Sequence, residues 1–140
     1  MGTPAARWMV PTFAFILANG ALGVTSKLAL RSLVWQDLML WVGISYVAVA
    51  IVITARGVDR LEAGPGAPWA ALSAALAIIS LISLYLALET GEASKVIPVS
   101  AAYPVVTLVL SAILLAERIS PARVLGMCLV VAGVVILTVA

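Results

Sequence analysis

Hydrophobic residues in this chain neither alternate with polar ones at a strand period nor keep to one stripe of a helix. They come in long unbroken runs. Charged side chains leave charge-free stretches at 8–26, 38–55, 63–88, 96–116 and 124–140. Each reaches the roughly 17–25 apolar residues that a helix needs to cross a bilayer. In hydrocarbon every backbone N–H and C=O must be satisfied within the segment, which a helix does without leaving an edge. The lack of period-2 alternation argues against a transmembrane β-barrel. The pattern predicts an all-α, polytopic membrane protein, a bundle of five transmembrane helices. Their expected bounds are 8–30, 35–55, 68–88, 94–116 and 121–140, forming a single transmembrane domain over 1–140.

The punctuation agrees. Ser120 followed by Pro121 reads as N-cap and first helical residue of the last helix. Gly64, Pro65, Gly66, Ala67 and Pro68 form a turn-rich connector before the third. The other connectors are as short as ordinary loops and leave no room for a soluble domain. The first run is not read as a signal peptide, because its basic flank is Arg7 alone and no cleavage segment precedes the second run. Trp8 and Trp69 fall at helix starts on one side of the bilayer and Trp35 and Trp41 on the other, as in an interfacial aromatic belt. Trp41, a turn inside its run, has packing as its alternative role.

Composition removes several functions. The chain is 64% hydrophobic and 10% charged, against about 25% charged in soluble domains. A net charge of +2 with no basic cluster offers nothing to a nucleic-acid backbone, so no nucleic-acid partner is expected. With no His and a lone Cys128 in an apolar run, no metal site, disulfide framework or cofactor is expected. Catalysis is not expected either, for want of an acid–base pair or phosphate loop. Asp37, Glu89, Glu92 and Glu117 all lie at helix ends, where solvated roles fit them, so a carboxylate relay deep in the membrane is disfavoured.

Polar residues inside the runs are then the candidate chemistry, because they need a protein or water-filled side to face. In the fourth run Ser100, Tyr103, Pro104, Thr107 and Ser111 share one helical face. Pro98 and Pro104 each remove a backbone donor and predict a bend. Ser100, Tyr103, Pro104 and Thr107 are therefore substrate-cavity candidates, the alternative being a tight seam in which the hydroxyls bond their own helix. On the first helix Asn19, Gly23, Ser26 and Lys27 share a face, and Asn19 is expected to point into the bundle as helix glue or substrate contact. Lys27 and Lys95 fall on one side of the membrane. They either snorkel to headgroups or converge at a cavity mouth and favour anionic or zwitterionic solutes. Ser73, Ala77, Ser80, Leu84 and Ala87 form a smooth face of the third helix, read as close packing. Gly126 and Gly133 are helix-packing or dimer candidates.

The C-terminal half carries a resemblance. Gly91, Glu92, Ala93, Ser94 and Lys95 lead into Pro98 and then Tyr103, Pro104 and Val105. The chain continues through Leu114, Leu115, Ala116, Glu117, Arg118, Ile119 and Ser120 to Gly126 and the stretch Ala132, Gly133, Val134. This resembles the end of an EamA repeat of the drug/metabolite transporter superfamily, with its Pro-containing fourth helix, closing Glu and Gly-bearing fifth helix. Asn19, Gly20 and the stretch from Ser26 to Leu30 resemble the start of such a repeat. Glu117 matches the closing Glu and is expected to cap the turn before Ser120. The resemblance implies transport of a small molecule, a metabolite or drug, with export as the direction, through a cavity between two five-helix repeats. Other readings are a lipid-linked, flippase-like carrier or a non-transporting membrane subunit of a larger complex.

One repeat supplies half of such an interface, so a homodimer is expected. Arg7, Arg56, Arg60, Arg118 and Arg123 fall on the N-terminal side, against Lys27, Arg31 and Lys95 on the other. This places the chain as multi-pass in the plasma (inner) membrane with a cytoplasmic N-terminus. The margin is small enough to permit insertion both ways and hence an antiparallel homodimer. A parallel dimer or an inverted heterodimer is the alternative. With Cys128→Ala and a single Cys added after Ala140, labelling of intact cells from both sides supports dual insertion. Labelling from outside alone rules it out.

Overall fold

The computed structural model describes residues 9–57 and 64–139. Among these described residues six helices appear in order: α1 (Met9–Ala29), α2 (Trp35–Ala55), α3 (Ala67–Thr90), α4 (Ala93–Ser100), α5 (Tyr103–Leu114) and α6 (Pro121–Val139). With α4 and α5 taken as one span, Ala93–Leu114, five segments are long and apolar enough to cross a membrane, as the runs predict. Among the described residues there is no strand. Trp8, Arg7 and Arg60 lie outside the described residues. The chain divides into two compact units, Met1–Thr90 and Gly91–Ala140.

In the first unit α3 packs against both α1 and α2. Burial is concentrated at one end of these helices. Gly23 and Ser26 are buried on α1, Leu38 on α2, and Tyr85 and Leu88 on α3. These positions are the last two turns of α1, the first turn of α2 and the last two turns of α3. Further along, the same helices expose large apolar side chains such as Leu17, Val47 and Ile79. Of the stripe expected to pack on α3, Leu84 is half-buried and the small residues Ser73, Ala77, Ser80 and Ala87 are exposed in this unit. The packed face runs through Leu81, Leu84, Tyr85 and Leu88. Bulky side chains filling space around α1 and α2 outweigh the closer backbone approach that small ones permit. α2 stops at Gly57, whose φ of 86° suits glycine after a helix, with its N–H on the Thr54 carbonyl at 3.0 Å.

In the second unit the fourth span breaks where the prolines demand it. Pro104 has no N–H for the Ser100 carbonyl, and its ring crowds that carbonyl. The residue before a proline also disfavours helix. The backbone tightens over Ala101 and Ala102: the Ala102 N–H reaches the Val99 carbonyl at 3.1 Å, three residues back instead of four. The Val105 N–H likewise takes the Ala102 carbonyl at 3.0 Å. α4 packs against α6. α6 begins as expected, with Ser120 receiving the Arg123 N–H on its hydroxyl at 3.4 Å and on its carbonyl at 3.0 Å.

The α5–α6 turn is closed differently from the expectation. No described hydrogen bond gives the Glu117 carboxylate a capping role. The Glu117 N–H folds back to the Ser111 carbonyl at 3.3 Å, and the Arg123 guanidinium donates to the Arg118 carbonyl at 3.4 Å. Ala116 makes this turn with a φ of 52°, the left-handed conformation that a Cβ disfavours by about 1 kcal/mol. Ala116→Gly is expected to leave thermal unfolding unchanged or raise it by up to about 1 kcal/mol, since relief of strain offsets the freer unfolded chain. Ala116→Val is expected to lower it by at least about 1 kcal/mol, because a β-branched residue tolerates this φ worst. Thermal unfolding of the detergent-solubilised protein orders the three.

Candidate functional site

Two polar features stand out, one in each unit. The first grows from the helix ends of unit one. The last carbonyls of a helix and the first N–H groups of the next have no partner within the helix, and in a membrane little else can supply one. Here the three helices supply each other. The Lys27 ammonium, from the last turn of α1, donates to the Leu88 carbonyl in the last turn of α3 at 2.6 Å. The Trp35 N–H, opening α2, donates to a Glu89 carboxylate oxygen at 3.1 Å. Each charge also has the sign favoured by the helix end it bonds, the Lys27 cation at the C-terminus of α3 and the Glu89 anion at the N-terminus of α2. Directly inside this layer the Tyr85 hydroxyl is set against the Ser26 side chain. Tyr85 and Leu88 are 1% and 0% exposed and Ser26 4%, so the side chains directly inside the two bonds are buried, while Lys27 is half-buried and Glu89 exposed.

Of the face expected on α1, Gly23, Ser26 and Lys27 turn into unit one and Asn19 does not. Asn19 is exposed, and its amide donates to the Phe15 carbonyl at 3.2 Å, one turn back on its own helix. Within unit one Asn19 therefore does not point inward as expected, and the local bond answers one of its amide hydrogens. Lys27 does not simply snorkel, since it holds a helix terminus.

The second feature is the broken fourth span. Ser100, Tyr103 and Thr107 are exposed, while Pro104 and Ser111 are half-buried. The hydroxyls donate within their own helix, Ser100 to Val96 at 2.8 Å, Thr107 to Tyr103 at 3.4 Å and Ser111 to Leu108 at 3.1 Å. Back-bonding uses the hydroxyl proton and leaves oxygen lone pairs able to accept. Lys95 is exposed in the first turn of α4. Gly126 is exposed and Gly133 half-buried, and a Cβ at either would meet nothing within 4 Å, so neither mediates a close approach within the chain. Among the described residues no His, Cys, Asp or Glu cluster could hold a metal.

Reading by face and spacing did not single out Tyr85 or the pairing of Glu89 with Trp35. A signal for the second was present. Glu89 sits at the C-terminal end of α3, where the helix dipole disfavours an anion, so its reason must lie on another element.

Residues 7–139 match the EamA-like transporter family. The chain belongs to this family. A stretch of 71 residues is 35% identical to an uncharacterized protein of Methanocaldococcus jannaschii. That stretch covers 51% of this chain and 52% of the relative, so the chain spans about half the length of the curated relative it matches. No solved structure matches it. Family and helices together make this a multi-pass membrane protein of a transporter family.

Removing the Lys27 amine strands the Leu88 carbonyl. Lys27→Met is expected to cost about 1–2 kcal/mol, a charged hydrogen bond discounted for partial exposure. Glu89→Gln is expected to cost less than about 1 kcal/mol, because the amide oxygen still accepts from the Trp35 N–H. Thermal unfolding in detergent measures both, and a larger loss for Glu89→Gln would contradict this reading of the layer.

Proposed function

We propose that this EamA-type chain is an exporter of a small metabolite or drug and acts as a dimer of five-helix repeats in the plasma membrane, its N-terminus cytoplasmic. The family match over residues 7–139 carries the transport reading. The broken fourth span supports where the path runs. Ser100, Tyr103 and Thr107 present hydroxyls beside backbone that the prolines leave without its helical bonding, at membrane depth where such groups are tolerated only against protein or water. In this reading a second copy supplies the opposite wall. Asn19, Lys27 and Lys95 remain candidate contributors, with Lys27 acting through the helix end that it holds. Gly126 and Gly133, open on α6, are the candidate dimer face.

The test is flux. The purified chain is reconstituted alone into proteoliposomes and loaded with a mixed metabolite library, and release is followed by mass spectrometry. Specific release supports the transporter. Release only when a second membrane protein is co-reconstituted supports a subunit, and movement of lipid-linked probes alone supports a carrier. For a released solute, Thr107→Val and Tyr103→Phe are each expected to lower flux about fivefold, the worth of one hydrogen bond. Ile113→Leu, an exposed apolar exchange on the same helix, is expected to leave it unchanged.

A further inference from the structure

Within the first unit, α1 and α2 flank an open cleft of about 320 Å³. This lies at the small end of the range for small-molecule sites, about 300–1,000 Å³. Its floor is the buried pair Ser26 and Tyr85. Its α2 wall carries Trp41, Ser45 and Tyr46. Trp41 and Tyr46 are 64% and 63% exposed, so their rings are uncovered within the chain. The Ser45 hydroxyl donates to the Trp41 carbonyl at 2.9 Å, which leaves its oxygen lone pairs able to accept.

Charge decides the class of occupant. None of the residues lining the cleft is charged. Lys27, next to Ser26, is drawn to the Leu88 carbonyl, and Asp37 lines a separate hollow on the other flank of Trp41. A charged ligand here would lose its hydration without a counter-charge. A lipid tail would gain nothing specific, because the apolar wall is no better a solvent for it than the bilayer, and it has no polar hydrogen to give the Ser45 oxygen. An uncharged ring with one polar hydrogen stacks on the aromatic side chains and gives its hydrogen to a hydroxyl oxygen.

We propose that the α1–α2 cleft is a binding site for an uncharged, planar aromatic molecule of about the size of indole that carries one N–H or O–H donor. As a substrate site it rests on the transport reading, but as a binding site it does not. The full chain in lipid nanodiscs is titrated with indole, tryptamine and indole-3-acetate, which share a ring and differ in charge. Saturation-transfer NMR is the readout, with empty nanodiscs as background. Indole is expected to bind saturably and at least about tenfold more tightly than either charged analogue. Ser45→Leu, which puts a branched side chain into the cleft from an exposed position, is expected to weaken indole at least about tenfold. Tyr46→Phe, which removes only a hydroxyl, is expected to weaken it about three- to fivefold. Absence of saturable indole binding, tighter binding of a charged analogue, or unchanged binding in Ser45→Leu overturns the proposal. Each of these outcomes leaves the transport reading standing, since that is decided by flux.

Discussion

In a chain this apolar, the groups hardest to accommodate are not side chains but the unpaired backbone atoms at helix ends. Water satisfies them in a soluble protein, whereas near hydrocarbon each orphan is a direct cost. The bonds from Lys27 to the Leu88 carbonyl and from the Trp35 N–H to Glu89 answer that cost across three helices at once. The buried residues described in the first unit lie beside them: Ser26 adjoins Lys27, Leu88 adjoins Glu89, and Gly23, Leu38 and Tyr85 are about a turn away. Fixing the ends fixes the rotation of each helix. It thereby decides that Tyr85, and not the small residues of α3, faces the α1 and α2 partners.

Elsewhere the polar groups are handled locally. Thr25, Ser45, Thr54 and Ser83 all return their hydroxyl protons to carbonyls on their own helices. So does the Asn19 amide. A side chain satisfied in this way can stand on an exposed face without forcing that face inward. The fourth span differs because proline removes a donor that no hydroxyl replaces. The break at Ala101 and Ala102 is thus the place where backbone polarity persists at membrane depth. It is a more demanding feature than the serines and threonines beside it.

This separates what was legible in the sequence from what was not. The five apolar helical segments were legible, because run length and the Ser120–Pro121 signal are local properties. The proline break was legible for the same reason. Which side of a helix packs was less so. Asn19 was placed inward on the premise that a buried amide needs a distant partner, and one turn of its own helix supplied it. The smooth stripe of α3 was read as a seam, but with hydrophobic residues on every side a helix has no apolar face to read, so periodicity does not choose among faces. The helix-end pairings need residues 54 and 61 positions apart. Spacing cannot reveal those, although the dipole argument for Glu89 could have flagged one of them.

The same uniformity bears on association. Exposed side chains such as Ile113, Leu125, Ile136 and Val139 cover the second unit, and α6 has no buried residue. In water such a surface would drive aggregation, but in lipid it is neutral, because acyl chains solvate it as well as another protein does. Hydrophobic area therefore cannot choose which faces of this protein meet a copy and which meet the bilayer. The choice falls to features that lipid serves poorly: close backbone approach at residues without a Cβ, and polar groups needing a partner. In the proposed dimer Gly126 and Gly133 would offer the first and the broken fourth span the second. If the proposed dimer forms, a second copy would have to be recognised through that same small stock of polar and glycine positions.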